Sequence, residues 1–114
     1  MKSIEKQVNL KAFNSMRVES KAAEFFEVCD EEEIQQLLRN TSTQKIPKLV
    51  LGGGSNILFR DDVNALVLLN RIMGIEIADE DEKEVLLRIG GGENWHELVM
   101  YCVDKGWGGI ENLA

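Results

Sequence analysis

Apolar positions in the first half of the chain predict a strand, a helix and a second strand. The segment Ala22–Val28 is short and rich in phenylalanine and valine, which is typical of a β-strand. Ile34, Leu37 and Leu38 follow at helical spacing and predict one apolar stripe. The compact run Leu49–Leu51 has no alternation, which indicates a strand buried on both faces, as in a parallel sheet. These elements together predict a small βαβ unit.

The predicted helix begins at an acidic cluster, Asp30–Glu33. The side chain of Asp30 is placed to accept a hydrogen bond from an amide of the first turn, and Glu33 completes a capping box. Carboxylates at the amino end of a helix are also favoured by its dipole. Capping therefore accounts for this cluster better than a functional site does.

Three more strands are predicted in the second half, at Ala65–Leu69, Ile75–Ala78 and Val85–Ile89. The charged stretch Asp79–Glu84 has no apolar residue and predicts a hairpin tip in solvent. We expect antiparallel pairing here, so the fold class is α+β, with two small lobes joined near residues 69–73.

A second helix is predicted after the glycine run Gly90–Gly92, which close packing of a strand against a helix explains well. Asn94 with Glu97 repeats the capping box, and Gly106 ends the helix where a left-handed residue is needed. The predicted buried stripe has helical spacing and consists of Trp95, Leu98, Val99, Cys102 and Val103.

The formal net charge of -7, with basic residues scattered among acids, argues against a nucleic-acid partner. No apolar run reaches the length of a membrane span, and the first ten residues lack the features of a signal peptide, so we expect a cytoplasmic protein. Cys29 and Cys102 fit buried free thiols in that compartment; a disulfide between them is the alternative. His96 has no partners at ligand spacing, which predicts an exposed side chain and no metal site.

The loop after the second strand, Gly52, Gly53, Gly54, Ser55 and Asn56, is the strongest candidate for chemistry. Three consecutive glycines let backbone amides approach a ligand closely and form a concave anion site, while Ser55 and Asn56 add polar side chains. The loop lacks the lysine of a phosphate-loop NTPase and the spacing of the usual dinucleotide fingerprint. Composition alone leaves a phosphate-binding loop and a tight structural turn equally open.

Four segments in order resemble the UDP-N-acetylenolpyruvoylglucosamine reductases (MurB), with the type I form fitting best. Leu49–Phe59 (LVLGGGSNILF) is similar to the family's first FAD-contacting loop, and Asn70–Ile77 (NRIMGIEI) to its Asn-Arg-Ile-x-Gly-Ile-Glu-Ile strand. Gly90–Val99 (GGGENWHELV) resembles the segment Gly-Ala-Gly-Glu-Asn-Trp-His, and Gly109–Ala114 (GIENLA) the lead-in to an Ile-Pro-Gly segment. The resemblance covers the chain from about Val8 to its end.

The resemblance implies the amino-terminal part of an FAD-binding domain of the PCMH type. Lobe one would comprise about residues 1–70, and about residues 71–114 would form the start of lobe two. Such enzymes use FAD and NADPH to reduce the enolpyruvyl ether of a UDP-sugar to UDP-N-acetylmuramate, for peptidoglycan synthesis, cell shape and cell division. It implies that Gly52–Asn56 hold the FAD pyrophosphate. The substrate domain and the catalytic serine, arginine and glutamate are expected outside this sequence, so no catalytic residue is assigned and the chain itself is expected to be inactive.

The sequence departs from the family near its start, where Asn14-Ser15-Met16 replaces the usual Asn-Thr-Phe. Serine keeps a hydroxyl, whereas the exchange of phenylalanine for methionine leaves the local packing open. Two alternatives stay open. One is a stand-alone nucleotide- or phosphate-binding module, and the other is a related FAD oxidase of the same superfamily. Uncovered apolar sheet surface is expected to promote self-association of such a fragment.

Overall fold

The computed structural model describes residues 3–40, 43–54 and 57–113, and the chain divides into two units, Met1–Ile72 and Met73–Ala114. The first unit contains β1 (Glu5–Asn9), β2 (Lys21–Val28), α1 (Glu31–Arg39), β3 (Lys48–Leu51) and β4 (Val63–Asn70), with a 3₁₀ turn at Leu10–Phe13. The second contains β5 (Ile75–Glu80), β6 (Val85–Ile89) and α2 (Trp95–Asp104), with a 3₁₀ turn at Glu111–Leu113. Among the described residues, no helix has the length and apolar character needed to cross a bilayer.

The first unit is a four-stranded sheet in the order β1-β2-β4-β3. β2 and β3 both run parallel to β4, while β1 is antiparallel to β2. The prediction that the strand after the glycine loop is antiparallel is therefore wrong, because β4 lies between the two strands of the βαβ unit. The carboxyl ends of the three parallel strands lie side by side at one end of the sheet, where Val28 is paired with Asn70 and Leu51 with Leu69.

The core of this unit lies on both faces of β4, whose residues Leu66–Leu69 are all buried. Burial of one such side chain stabilises a fold by about 1.5–3 kcal/mol. The prediction that Leu49–Leu51 is buried on both faces is wrong, because β3 is an edge strand and Val50 is 67% exposed. A short apolar run does not show whether its strand has one neighbour or two.

The helix α1 begins as the capping pattern predicts. The Asp30 carboxylate accepts a hydrogen bond from the Glu33 amide at 2.8 Å, and the Glu33 carboxylate accepts one from the Cys29 amide at 2.7 Å. The reciprocal bond thus reaches one residue before the cap. Leu37 is fully buried, but Leu38 is exposed, and so is Cys29, which we predicted to be buried.

The second unit contains a hairpin of β5 and β6 whose four-residue connection is Asp81–Glu84, which confirms the predicted tip. Asn94 caps α2 by accepting a hydrogen bond from the Glu97 amide at 2.9 Å. Gly106 has a φ of +77°, and its amide and that of Trp107 close the helix end on carbonyls of the last turn.

The burial of α2 is only partly as predicted. Leu98, Val99 and Cys102 are buried, whereas Trp95 and Val103 are 49% and 47% exposed. The buried stripe of α2 is narrower than predicted, because fewer side chains pack against the helix than its apolar pattern indicates. His96 is exposed, as predicted, and Cys29 and Cys102 are both free thiols.

Candidate functional site

The glycine loop begins at the carboxyl end of β3. In open parallel sheets, ligands bind next to the carboxyl ends of the strands. Leu51, the last residue of β3, is buried, and so is Phe59 beyond the loop. Both belong to one apolar cluster with Leu10 and Phe25. The two ends of the loop are therefore fixed in the same core.

Gly54 is held against another segment of backbone, the turn formed by Phe13, Asn14 and Ser15, which we call the clamp turn. Gly54 is buried and has a φ of +75°, in the left-handed region that favours glycine. A Cβ at this position would run into the Phe13 carbonyl oxygen and lie 2.8 Å from the Asn14 Cα. Ser15 donates two hydrogen bonds to the Gly54 carbonyl oxygen, from its amide at 3.1 Å and its hydroxyl at 3.3 Å.

The clamp turn is itself fixed by the side chain of Asn14, which is 5% exposed. Its Nδ2 donates to the Leu10 carbonyl at 2.8 Å and to the Val18 carbonyl at 3.1 Å. Its Oδ1 accepts from the Val18 amide at 3.0 Å. Three hydrogen bonds from one buried amide group close the chain from Leu10 to Val18 into a compact loop.

Apolar packing anchors the same turn from below. Leu10 is fully buried, and the Phe13 ring stacks on Phe25 of β2 with centroids 5.0 Å apart. Met16 is 59% exposed, so methionine at this position removes no packing from the core of this unit. The exchange of phenylalanine for methionine at this position therefore concerns the surface of this unit and not its core.

Gly52 and Gly53 differ from Gly54 in both space and conformation. Both are exposed, and a Cβ built on either would have no neighbour within 4 Å. Neither has a backbone angle that requires glycine. Packing therefore explains Gly54 but not the first two glycines, whose backbone is open to a ligand. Ser55 and Asn56, the two polar residues of the predicted site, lie outside the described residues.

The donor set of this loop fits an anionic group such as a pyrophosphate. The backbone of Gly52 and Gly53 is exposed with no side chain in the way of a ligand, and it follows the carboxyl end of a parallel strand, where phosphates bind in such sheets. The charge of the chain is also divided between its units. Residues 1–72 carry ten basic and ten acidic side chains, whereas residues 73–114 carry three basic and ten acidic. The unit with the loop is thus free of the net negative charge that would repel an anion.

The second glycine run has a structural explanation within its own unit. The Gly90 amide donates to the Gly74 carbonyl at 2.8 Å, and the Glu93 carboxylate accepts from the Gly74 amide at 2.6 Å. Glu93 thus joins the segment around Gly74 to the turn before α2. Two of the four segments that carry the family resemblance are connected in this way.

The second unit also contains a cavity of about 630 Å³ between the hairpin tip and α2. Its lining includes the apolar side chains Leu87, Trp95, Leu98 and Trp107 and the acidic side chains Glu80 and Glu84. The hydrogen bonds that the Asp81 carboxylate accepts from the Lys83 and Glu84 amides lower its pKa. The pKa of Glu111 is likewise lowered, by hydrogen bonds from its own amide and that of Gly109. Both carboxylates are held ionised, which does not suit a general acid.

Among the described residues, no group of three or more histidine, cysteine or acidic side chains is arranged to hold a metal ion. Sequence reasoning predicted a binding site at the glycine loop and gave no role to the clamp turn. The sole signal for the clamp turn was the departure from the family at Asn14-Ser15-Met16, because its residues have no composition typical of a binding site.

Comparison with known proteins gives one family match and many relatives. The model of a family described as FAD binding domain matches residues 22–114. The UDP-N-acetylenolpyruvoylglucosamine reductase of Amoebophilus asiaticus is 40% identical over 111 residues, which are 97% of this chain and 33% of the relative. The protein of the same name from Shigella dysenteriae is 44% identical over 109 residues, 93% of this chain and 31% of the relative.

A solved structure agrees with these relatives. The UDP-N-acetylenolpyruvylglucosamine reductase (MurB) of Thermus caldophilus superposes with a TM-score of 0.66 at 28% identity, over 97% of this chain and 37% of that one. The chain thus spans about a third of the length of the proteins it matches.

Proposed function

The chain belongs to the family of FAD binding domains, and on that premise we propose that its glycine loop, Gly52–Asn56, holds the pyrophosphate of FAD. The observation that carries the proposal is the open backbone of Gly52 and Gly53, which packing within the chain does not explain. Amides in such a position bind phosphate oxygens without a clash from side chains. Ser55 and Asn56 would add hydrogen bonds to the same group, a part of the proposal that rests on the sequence alone.

We further propose that the chain is the FAD-binding portion of a UDP-N-acetylenolpyruvoylglucosamine reductase. The names of the relatives and the similarity over nearly the whole chain support this activity, which belongs to proteins about three times as long. When bound, FAD supplies hydride transfer from NADPH to the enolpyruvyl ether of the UDP-sugar. The contribution of these residues is to bind and orient the cofactor.

The same proposal places the protein in the cytoplasm, in peptidoglycan synthesis, and through it in cell shape and division. It assigns the protonation of the substrate to residues outside residues 1–114, so the chain alone binds but does not turn over.

The test is a titration of the ¹⁵N-labelled chain, first with ADP and then with FAD. Binding is monitored by nuclear magnetic resonance through the amide signals of Gly52 and Gly53. We expect saturable shifts at these two amides, since nuclear magnetic resonance detects binding even at millimolar dissociation constants. ADP carries the pyrophosphate and adenosine of FAD without the flavin, so it isolates the contribution of the loop. Shifts confined to residues 80–110, or no shifts at all, would contradict the proposed site.

Two variants sharpen this titration. Gly53→Asp places a carboxylate in open space without backbone strain, and we expect roughly ten-fold or greater loss of affinity from repulsion of the phosphates. Asn64→Asp adds the same charge at an exposed position near the opposite end of β4 and should leave the affinity unchanged within error. Equal losses in both variants would show that total charge, and not the loop, controls binding.

A further inference from the structure

We propose that the clamp turn prepares the glycine loop for its ligand, so that Asn14 and Ser15 are positioning residues for dinucleotide binding. This inference rests on the proposed function of the loop. Neither residue belongs to the loop, and they are separated from Gly54 by about forty positions along the chain, as in the contact between Ser15 and Gly54.

That contact determines the path of the loop at Gly54. The Gly54 carbonyl accepts both hydrogen bonds of Ser15, while its Cα lies against the Phe13–Asn14 backbone. Two donors to one carbonyl oxygen fix the orientation of the Gly54 carbonyl, because rotating it would break both hydrogen bonds. The exposed stretch Gly52–Gly53 is thus tied down at Leu51 on one side and at Gly54 on the other.

Without the clamp turn, three consecutive glycines would sample many conformations. Glycine has more backbone freedom than any other residue, so an untied loop would lose more entropy when a ligand orders it. Fixing a loop in its binding conformation raises affinity by removing that cost. The apparent dissociation constant rises in proportion as the competent conformation becomes less populated.

Asn14 and Ser15 contribute to this ordering at different levels. Asn14 holds the clamp turn itself, through three hydrogen bonds of a nearly fully buried side chain. Ser15 joins the turn to the loop. The hydrogen bond from its backbone amide to the Gly54 carbonyl is kept in any substitution that leaves the backbone in place. We therefore expect roughly ten-fold weaker ADP binding for Asn14→Ala and about three-fold weaker binding for Ser15→Ala.

The experiment measures ADP binding through the Gly52 and Gly53 amide shifts, and unfolding by urea, in the wild-type chain and four variants. Asn14→Ala and Ser15→Ala remove the hydrogen bonds of these side chains, whereas Ser15→Thr keeps a hydroxyl at position 15. Thr43→Val is the matched control for lost stability, because it removes a buried hydroxyl that bonds the Leu37 and Asn40 carbonyls within the same unit.

We expect Asn14→Ala to weaken ADP binding and to speed amide hydrogen exchange at Gly52–Gly54, while Thr43→Val lowers stability with the affinity unchanged. Ser15→Thr should regain the wild-type dissociation constant. The inference is overturned if Asn14→Ala binds ADP as the wild type does, or if Thr43→Val weakens binding as much. A wild-type chain whose Gly52 and Gly53 amides do not respond to ADP would overturn the proposed function as well, so the two failures are distinguishable.

Discussion

The three glycines of the loop have different physical roles, although their sequence is uniform. Gly54 is required by a left-handed backbone angle and by close contact with the Phe13 carbonyl. Gly52 and Gly53 meet neither condition, and their surroundings are open. Composition left a structural turn and a phosphate-binding loop equally open for the whole segment. The structure assigns the first explanation to Gly54 and leaves the second for its two neighbours.

This division predicts unequal effects of alanine on stability at adjacent positions. Gly54→Ala should lower the free energy of unfolding by at least about 2 kcal/mol, from the left-handed angle and from displaced backbone. Gly53→Ala should change it by less than about 1 kcal/mol, because the conformation is allowed and the space is empty. Urea unfolding of both variants measures the difference. Equal destabilisation would show that the loop does not adopt this conformation in solution.

Asp81 gives a second prediction for a single residue. Its carboxylate accepts amide hydrogen bonds from Lys83 at 2.7 Å and Glu84 at 2.8 Å, which lowers its pKa below the ordinary value of 3.8. Because the folded pKa is lowered, these bonds stabilise the hairpin above that ordinary value and are lost as the pH falls through the lowered pKa. Carboxyl-carbon shifts should give a midpoint below 3.8 for Asp81. Asp81→Asn keeps an acceptor and should make the Lys83 and Glu84 amide shifts insensitive to pH in this range.

At the scale of single elements, local signals predicted the helix ends better than the buried faces. Asp30, Asn94 and Gly106 act where the capping pattern placed them, because a cap is satisfied within its own turn. The predictions that β3 and Trp95 are buried were wrong, because burial depends on neighbours that are distant in sequence. The apolar pattern reports a preference for burial, and the sheet order decides whether a neighbour is present.

The cap of α1 leads to a prediction for this element. Asp30→Ala removes the acceptor of the Glu33 amide and should lower the free energy of unfolding by about 1 kcal/mol. Asp30→Asn keeps that acceptor and also relieves repulsion from Glu31 and Glu32, so its stability should lie within a few tenths of a kcal/mol of the wild type, as for interchangeable cap residues. Urea unfolding measures both variants. Equal losses would mean that charge, and not the hydrogen bond, is what Asp30 contributes.

At the scale of the whole chain, pairing was the feature that sequence reasoning could not supply. β1 was missed because its residues, Glu5-Lys6-Gln7-Val8-Asn9, are mostly polar, as an exposed edge strand permits. β4 was placed among the antiparallel strands because no local signal shows that it lies between β2 and β3. The family resemblance predicted a site at the glycine loop, but the contact of the clamp turn with Gly54 is visible in the structure alone.

The division of charge between the two units determines how the chain should associate with itself. Residues 73–114 carry the whole net charge of -7 and also expose several large apolar side chains, Ile77, Leu86, Ile89, Trp95, Met100 and Val103. Apolar surface favours association, while like charges on the same unit oppose it. The balance between them depends on salt, because the screening length falls from about 30 Å at 0.01 M to about 3 Å at 1 M ionic strength.

We therefore expect the chain to be monomeric at low ionic strength and to self-associate through the second unit as salt is raised. Sedimentation velocity should give a mass near 12.9 kDa at about 0.01 M salt and a higher weight-average mass at about 1 M salt. Leu86→Gln should suppress the association, since this side chain is 62% exposed on the charged unit. Val50→Gln removes an equally exposed side chain, at 67%, from the unit without net charge and should have no effect. If Val50→Gln suppresses association and Leu86→Gln does not, the contact is made by the edge strand β3 and charge on the second unit does not control it.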